Sequence, residues 1–334
     1  MIEKEKVAVI VGPTAVGKTE LSIRIADLLG AEIISGDSMQ VYRDMDIGTA
    51  KIREEEMYAP SGRKIPHRMI DIVNPDEVFS VADYQKMVRK TISELNKERK
   101  LPLIVGGTGL YINSVIDPYN FTEMNFDGEY RQSKWEEAEK YGSHLLHKEL
   151  SGINKAAAEK IHPNDTKRII RALEIFRQTK RTLSELQEGS GESNPGYQLV
   201  LVGLFREREI LYGRINQRVD QMIESGLINE VKTLLKQGYN PCLNSMQGLG
   251  YRQVAAYLNG ILTKNEAINL IKRDTRRFAK RQYTWFKRDR RIKWFDLGQY
   301  ENNDQCAQEI AKYIGRSLGI AVEEYINQNL EGNQ

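Results

Sequence analysis

The chain has 334 residues, 40% of them hydrophobic, and a formal net charge of +3. That length suits two or three domains with a sizeable core, and no apolar run reaches the roughly eighteen residues of a membrane span. Two cysteines, Cys242 and Cys306, and four scattered histidines argue against a disulfide framework and a cysteine-based zinc site. The N-terminus, MIEKEK, does not read as a signal peptide, so a cytoplasmic protein without a membrane segment is expected.

Val7–Val11 is a short apolar run that reads as a buried parallel strand, and Glu20–Leu29 has Leu21, Ile25, Leu28 and Leu29 on one helical face. Between them stand Gly12, Pro13, Thr14, Ala15, Val16, Gly17, Lys18 and Thr19, a phosphate-loop pattern in its strand–loop–helix context. Backbone N–H groups and the helix N-terminus there form an anion cradle, with Lys18 as a point charge and the Thr19 hydroxyl as a Mg²⁺ ligand. A second strand is expected at Ala31–Ser35 and delivers Asp37 to the same edge. Asp37 could ligate Mg²⁺ through water, act as a general base, or close an Asx-turn.

Val81–Glu98 has a helical period through Tyr84, Met87, Val88, Ile92 and Leu95, and Leu101–Val105 reads as a third buried strand. That strand ends in Gly106-Gly107-Thr108-Gly109, where a nucleoside triphosphatase would show an acidic residue. Met69–Ile72 is too short to replace it, and Asp296 lies far along the chain. The alternation of strands and helices predicts an α/β fold, a phosphate-loop parallel sheet flanked by helices, with ligands at the carboxyl ends of the strands.

From Asn120 to Pro195 only helices are expected: Trp135–Leu150, Lys155–Ile161, and Asp165–Gln178 capped by Asn164 or Asp165. His144 and His147 read as solvated helix residues. Gly189–Gly196 reads as a flexible linker, after which Gln198–Leu204 resumes the sheet. The predicted organisation is a discontinuous core at 1–119 and 196–316, an inserted all-helical domain at 120–195, and a tail at 317–334 containing Glu323, Glu324 and Glu331. Long helices follow Glu207, and a short strand is expected at Ile292–Phe295.

Arg214 and Arg218 share a helix face, and Arg214 could clamp a diphosphate opposite the loop, although on these residues alone a solvated helix with Glu207 and Asp220 nearby is the better reading. In the insertion, Lys167, Arg168 and Arg171 form a basic stripe opposite Ile169, Leu173 and Phe176. Near the C-terminus, Arg276, Arg277, Lys280 and Arg281 interleave with Phe278, Tyr283, Trp285 and Phe286. Cations for phosphates and aromatics for bases are what a single-stranded RNA loop requires, and two such elements suggest RNA held between domains.

Together these segments resemble the tRNA dimethylallyltransferase family, also called tRNA isopentenyltransferases, over residues 6–295. The resemblance rests on GPTAVGKT at 12–19, SGDSMQVYRDMDIGTAK at 35–51, VGGTGLY at 105–111, HPNDTKRIIRALE at 162–174, QGLGYRQ at 247–253 and RRFAKRQYTWFKR at 276–288. It implies transfer of a dimethylallyl group from dimethylallyl diphosphate to N6 of the adenosine 3′-adjacent to the anticodon. Asp37 would then be the general base, Thr19 would help hold Mg²⁺, and Lys18, the loop amides and Arg214 would hold the diphosphate.

The resemblance further implies contact with the tRNA anticodon stem-loop by Asp37, Ser38, Met39, Gln40 and Thr108. Lys167, Arg168, Ile169, Ile170 and Arg171 would join them from the insertion. Gln247, Gly248, Leu249, Gly250, Tyr251 and Arg252 form a further group, and Lys280, Arg281, Gln282, Tyr283, Thr284, Trp285, Phe286 and Lys287 the last. A monomer is expected. Arg68 departs from the family by standing where many members have a second His, and no zinc-finger extension follows the core, as in the bacterial form. The same chemistry on a free adenine nucleotide, and an RNA-binding P-loop ATPase, are the competing readings; no feature of the sequence points to a use for ATP hydrolysis.

Overall fold

The structure, a computed structural model, describes residues 4–119, 127–180 and 196–322. The chain divides into two compact units, Met1–Asp117 with Gly196–Gln334, and Pro118–Pro195.

The first unit is built on a six-stranded sheet: β1 (Lys6–Val11), β2 (Ala31–Gly36), β3 (His67–Arg68), β4 (Leu101–Gly106), β5 (Gln198–Phe205) and β6 (Ile292–Asp296). The order is β3-β2-β4-β1-β5-β6, and every pairing is parallel. Strands covered on both faces read as continuous apolar runs, which is why β1, β4 and β5 were legible. Val9 stands level with Ile104 on one side and Leu201 on the other, so the sheet resumes after the insertion in register with its first strand.

One face is covered by α1 (Lys18–Leu29) and the last described helix, α12 (Asn303–Leu318), through Ile25, Leu29, Ile310 and Ile314. The other is covered by α2 (Val81–Lys97) and α3 (Gly109–Ile116), through Tyr84, Val88, Ile92 and Ile112. Ser80 and Asp83 form a capping box at the start of α2. A third cluster joins α8 (Arg208–Glu224), α9 (Leu227–Lys236), α10 (Tyr251–Leu258) and the first half of α11 (Lys264–Phe286) around Val41 and Met45.

The boundary expected at 317 lies too early. Leu318 extends the buried row of Ile310 and Ile314, and Val322 is buried in the same cluster. Glu323, Glu324 and Glu331 lie outside the described residues.

The second unit contains α4 (Gly128–Tyr141), α5 (Ser143–Ile153), α6 (Lys155–Lys160) and α7 (Thr166–Thr179). The single helix expected over 135–150 is two helices, because Gly142 takes φ +86° and ψ 148°, which no helix accommodates. Asp165 is the cap of α7, accepting from Arg168 N–H at 3.3 Å. His144 is exposed as expected, but Nε2 of His147 lies 3.0 Å from the carbonyls of Ala158 and Ile161 and ties α5 to α6. Of the linker expected at Gly189–Gly196, residues 189–195 lie outside the described residues.

Candidate active site

The carboxyl ends of four adjacent parallel strands deliver the site: β1 runs into the phosphate loop, β2 into Asp37, β4 into Gly107 and Thr108, and β5 into Arg206. Gly17, at φ +115°, ends the loop in a conformation that L side chains rarely adopt, and α1 begins at Lys18. The Lys18 ammonium donates to the carbonyls of Gly12 and Pro13, each at 2.9 Å. Burial brings its pKa down to about 7, with repulsion from Arg218 adding to the fall and attraction to Asp37 opposing it.

Two arginines grip the loop from outside. Nε of Arg214 donates to the Ala15 carbonyl and Nε of Arg206 to the Val16 carbonyl, both at 2.9 Å. Arg218, one turn after Arg214, is half-buried and lines a cavity together with Asp37. Burial lowers its pKa, and Asp37 works against that fall. The sequence marked Arg214; it assigned no role to Arg218 or to Arg206, whose one available signal was its place two residues after a predicted strand.

Oδ1 of Asp37 accepts from Met39 N–H at 2.9 Å, so the Asx-turn forms. The carboxylate also lines two cavities. The larger, about 340 Å³, is bounded by Thr14, Thr108, Arg218 and Gly248 and by an apolar wall that includes Ile215, Val219, Met222, Ile271 and Phe278. The smaller, about 60 Å³, holds Lys18, Thr19, Ser35, Gln40 and His67 with Asp37. Oγ1 of Thr108 accepts from Ser38 N–H at 3.1 Å, which ties the loop after β4 to the segment after β2. Gln40 is occupied internally, its Oε1 accepting from the Ser35 hydroxyl at 2.8 Å.

Among the described residues no cluster of three His, Cys, Asp or Glu side chains forms a ready-made metal site. Thr19 and Asp37 nevertheless share the smaller cavity, and one hydroxyl with one carboxylate fits a Mg²⁺ ion that keeps waters and phosphate oxygens as further ligands. Asp296 is no substitute: it accepts from Gly298 N–H at 2.9 Å at the end of β6. Asp71 is bound to Lys51 at 2.6 Å.

Several residues expected to touch RNA are in the core instead. Ile169 and Ile170 are buried in the helical unit, and Arg171 bonds the buried Glu174, leaving Lys167 and Arg168 exposed on α7. Tyr251 is buried, its hydroxyl donating to Glu230 at 2.6 Å, and Gly250 is buried with it. Phe286 packs beneath the sheet with Ile104 and Ile292. Gln282 is buried between two loops, and Tyr283 packs against Phe205 and Trp294. Exposed positions remain at Gln247, Arg252, Lys280, Arg281, Thr284, Trp285 and Lys287. Of these, Arg252 pairs with Asp274 at 2.9 Å, and Nε1 of Trp285 donates to Asn113 at 3.3 Å.

Residues 40–289 match the family described as IPP transferase. The chain belongs to the IPP transferase family. The tRNA dimethylallyltransferase of Carboxydothermus hydrogenoformans is 52% identical over 311 residues, 93% of this chain and 98% of that protein. That of Bacillus licheniformis is 49% identical over 317 residues, 95% of this chain and 99% of that protein. Among solved structures, the full-length tRNA isopentenylpyrophosphate transferase of Bacillus halodurans superposes with a TM-score of 0.69 at 46% identity, covering 97% of this chain and 99% of that one. A eukaryotic dimethylallyltransferase acting on tRNA gives 0.77 at 26% identity, covering 95% of this chain and 80% of that one. The IPP transferase resemblance and the α/β class read from the sequence are both borne out.

Proposed function

We propose that the chain transfers the dimethylallyl group of dimethylallyl diphosphate to N6 of the adenosine 3′-adjacent to the anticodon of tRNA, releasing diphosphate, as a cytoplasmic monomer. The observation that carries this reading is the place of Asp37, shared between the small cavity of Lys18 and Thr19 and the large cavity of Thr108 and Arg218. Adenine N6 is a weak nucleophile because its lone pair is delocalised into the ring. The C–O bond of the allylic donor therefore breaks ahead of, or with, formation of the C–N bond.

The charge that collects on the leaving diphosphate meets Lys18, the loop N–H groups and the guanidinium groups of Arg214 and Arg218. Thr19 is the residue that would hold Mg²⁺, with Asp37 reaching the ion through water, and the ion would supply neutralisation of the phosphate oxygens. The N6 proton, acidified as the bond forms, passes to the Asp37 carboxylate. The apolar wall of Ile215, Val219, Met222, Ile271 and Phe278 suits the dimethylallyl tail. The adenine leaves its stack to reach Thr108 and Ser38, which an anticodon-loop base does at modest cost. Exposed Lys280, Arg281, Trp285 and Lys287 on α11, and Lys167 and Arg168 on α7, supply phosphate and stacking contacts.

Asp37→Ala tests the role of the carboxylate. Loss of a general base is expected to slow transfer by about 10²–10⁴-fold while leaving tRNA affinity near that of the native protein. Turnover at the native rate would remove Asp37 from the mechanism.

A further inference from the structure

Gln282 sits on α11 among the exposed cations, yet its side chain is buried. Its Oε1 accepts from the N–H of Thr14 in the phosphate loop, and its Nε2 donates to the carbonyl of Gly107, both at 2.9 Å. The two bonds fix the orientation of the amide, because turned over it would set donor against donor and acceptor against acceptor. Gly107 approaches so closely that a Cβ there would lie 2.2 Å from Nε2.

From Gly107 the path continues to the general base. Thr108 N–H donates to the Gly36 carbonyl at 3.1 Å, and Thr108 Oγ1 accepts from Ser38 N–H at 3.1 Å, on either side of Asp37. One amide on α11 thus ties the donor loop to the segment that carries the base. The opposite face of the same stretch of helix presents Lys280, Arg281, Thr284 and Lys287 to solvent.

We propose that Gln282 is a positioning residue that couples RNA engagement on α11 to donor binding at the phosphate loop. The inference rests on the reaction proposed above and deepens it. RNA held on the exposed face of α11 favours the arrangement in which the amide holds both loops, so the donor binds a loop already set, gaining affinity without a new contact. By linkage the donor raises RNA affinity by the same factor.

The test is a titration of dimethylallyl diphosphate into the native protein and two variants, each with and without an anticodon stem-loop RNA. Gln282→Met keeps the length and loses both bonds. Gln282→Glu keeps an acceptor for Thr14 N–H and sets a carboxylate against the Gly107 carbonyl. In the native protein RNA is expected to tighten donor binding by about five-fold or more, the lower end of ordinary coupling. In both variants that factor should fall to about one, with RNA affinity in the absence of donor unchanged. Should Gln282→Met fail to fold in a thermal melt, Gln282→Glu carries the comparison. Full coupling in a folded variant, or none in a native protein that still transfers the prenyl group, overturns the inference alone. A native protein that binds neither donor nor RNA overturns the reaction as well.

Discussion

In the proposed reaction, Lys18 is expected to set the pH dependence of donor binding. With its pKa lowered to about 7 by burial and by Arg218, the free protein carries mostly neutral amine at pH 8. A bound diphosphate favours the ammonium, so above pH 7 binding takes up a proton and affinity falls as pH rises. The dissociation constant for dimethylallyl diphosphate is expected to increase by about ten-fold per pH unit above 7, and to stay flat in Lys18→Met. Calorimetry in buffers of different ionisation enthalpy reads the proton directly; equal uptake by the variant at pH 8 would contradict the assignment. For folding the sign is also fixed. The unfolded chain, whose lysine keeps its ordinary value of 10.5, binds more protons than the folded one between the two values, so this group adds stability as pH rises across that window. The charge of Lys18 was legible in the motif. Its environment was not, because Arg218 reaches it only through the packing of α8 against the loop.

At the scale of the element, α11 divides by face rather than by stretch of sequence. Ala279, Gln282 and Phe286 are buried, while Lys280, Arg281, Thr284 and Lys287 are exposed. Phe286→Ala is expected to cost about 3–5 kcal/mol in urea unfolding, as the loss of a buried aromatic does. Lys287→Ala should leave stability within about 0.5 kcal/mol and reduce the salt slope of RNA binding by about 0.7. A Phe286 variant as stable as the native protein, or an unchanged slope for Lys287→Ala, would reverse the two faces. The spacing of 279, 282 and 286 was visible in the sequence, but carrying a motif over as a block assigned its buried members to RNA. Ile169 and Ile170 on α7 failed for the same reason, although the amphipathic pattern already set Ile169 opposite the basic stripe. The break between α4 and α5 was missed because a single glycine, with no proline, ends them, and a glycine inside a helical pattern is also tolerated.

Across the whole molecule, the sheet was legible because strands covered on both faces are short continuous apolar runs, and β5 could be recognised after the insertion by that property alone. The two-residue strand β3 and the cluster around Val41 and Met45 depend on contacts between distant segments, which no local pattern encodes. The phosphate loop stands where the sequence put it, between β1 and α1, and the structure adds the company around it: Arg206 and Arg214 on its carbonyls, Gln282 on Thr14, and Asp37 across two cavities. In the proposed reaction this loop releases a diphosphate rather than transferring a phosphate. Incubation with dimethylallyl diphosphate labelled in the allyl group, Mg²⁺ and undermodified tRNA tests it most directly. The expected result is label on N6 of the adenosine 3′-adjacent to the anticodon, with one diphosphate released per label incorporated. Label on free adenine nucleotide instead, or RNA-stimulated phosphate release from ATP without incorporation, would contradict it.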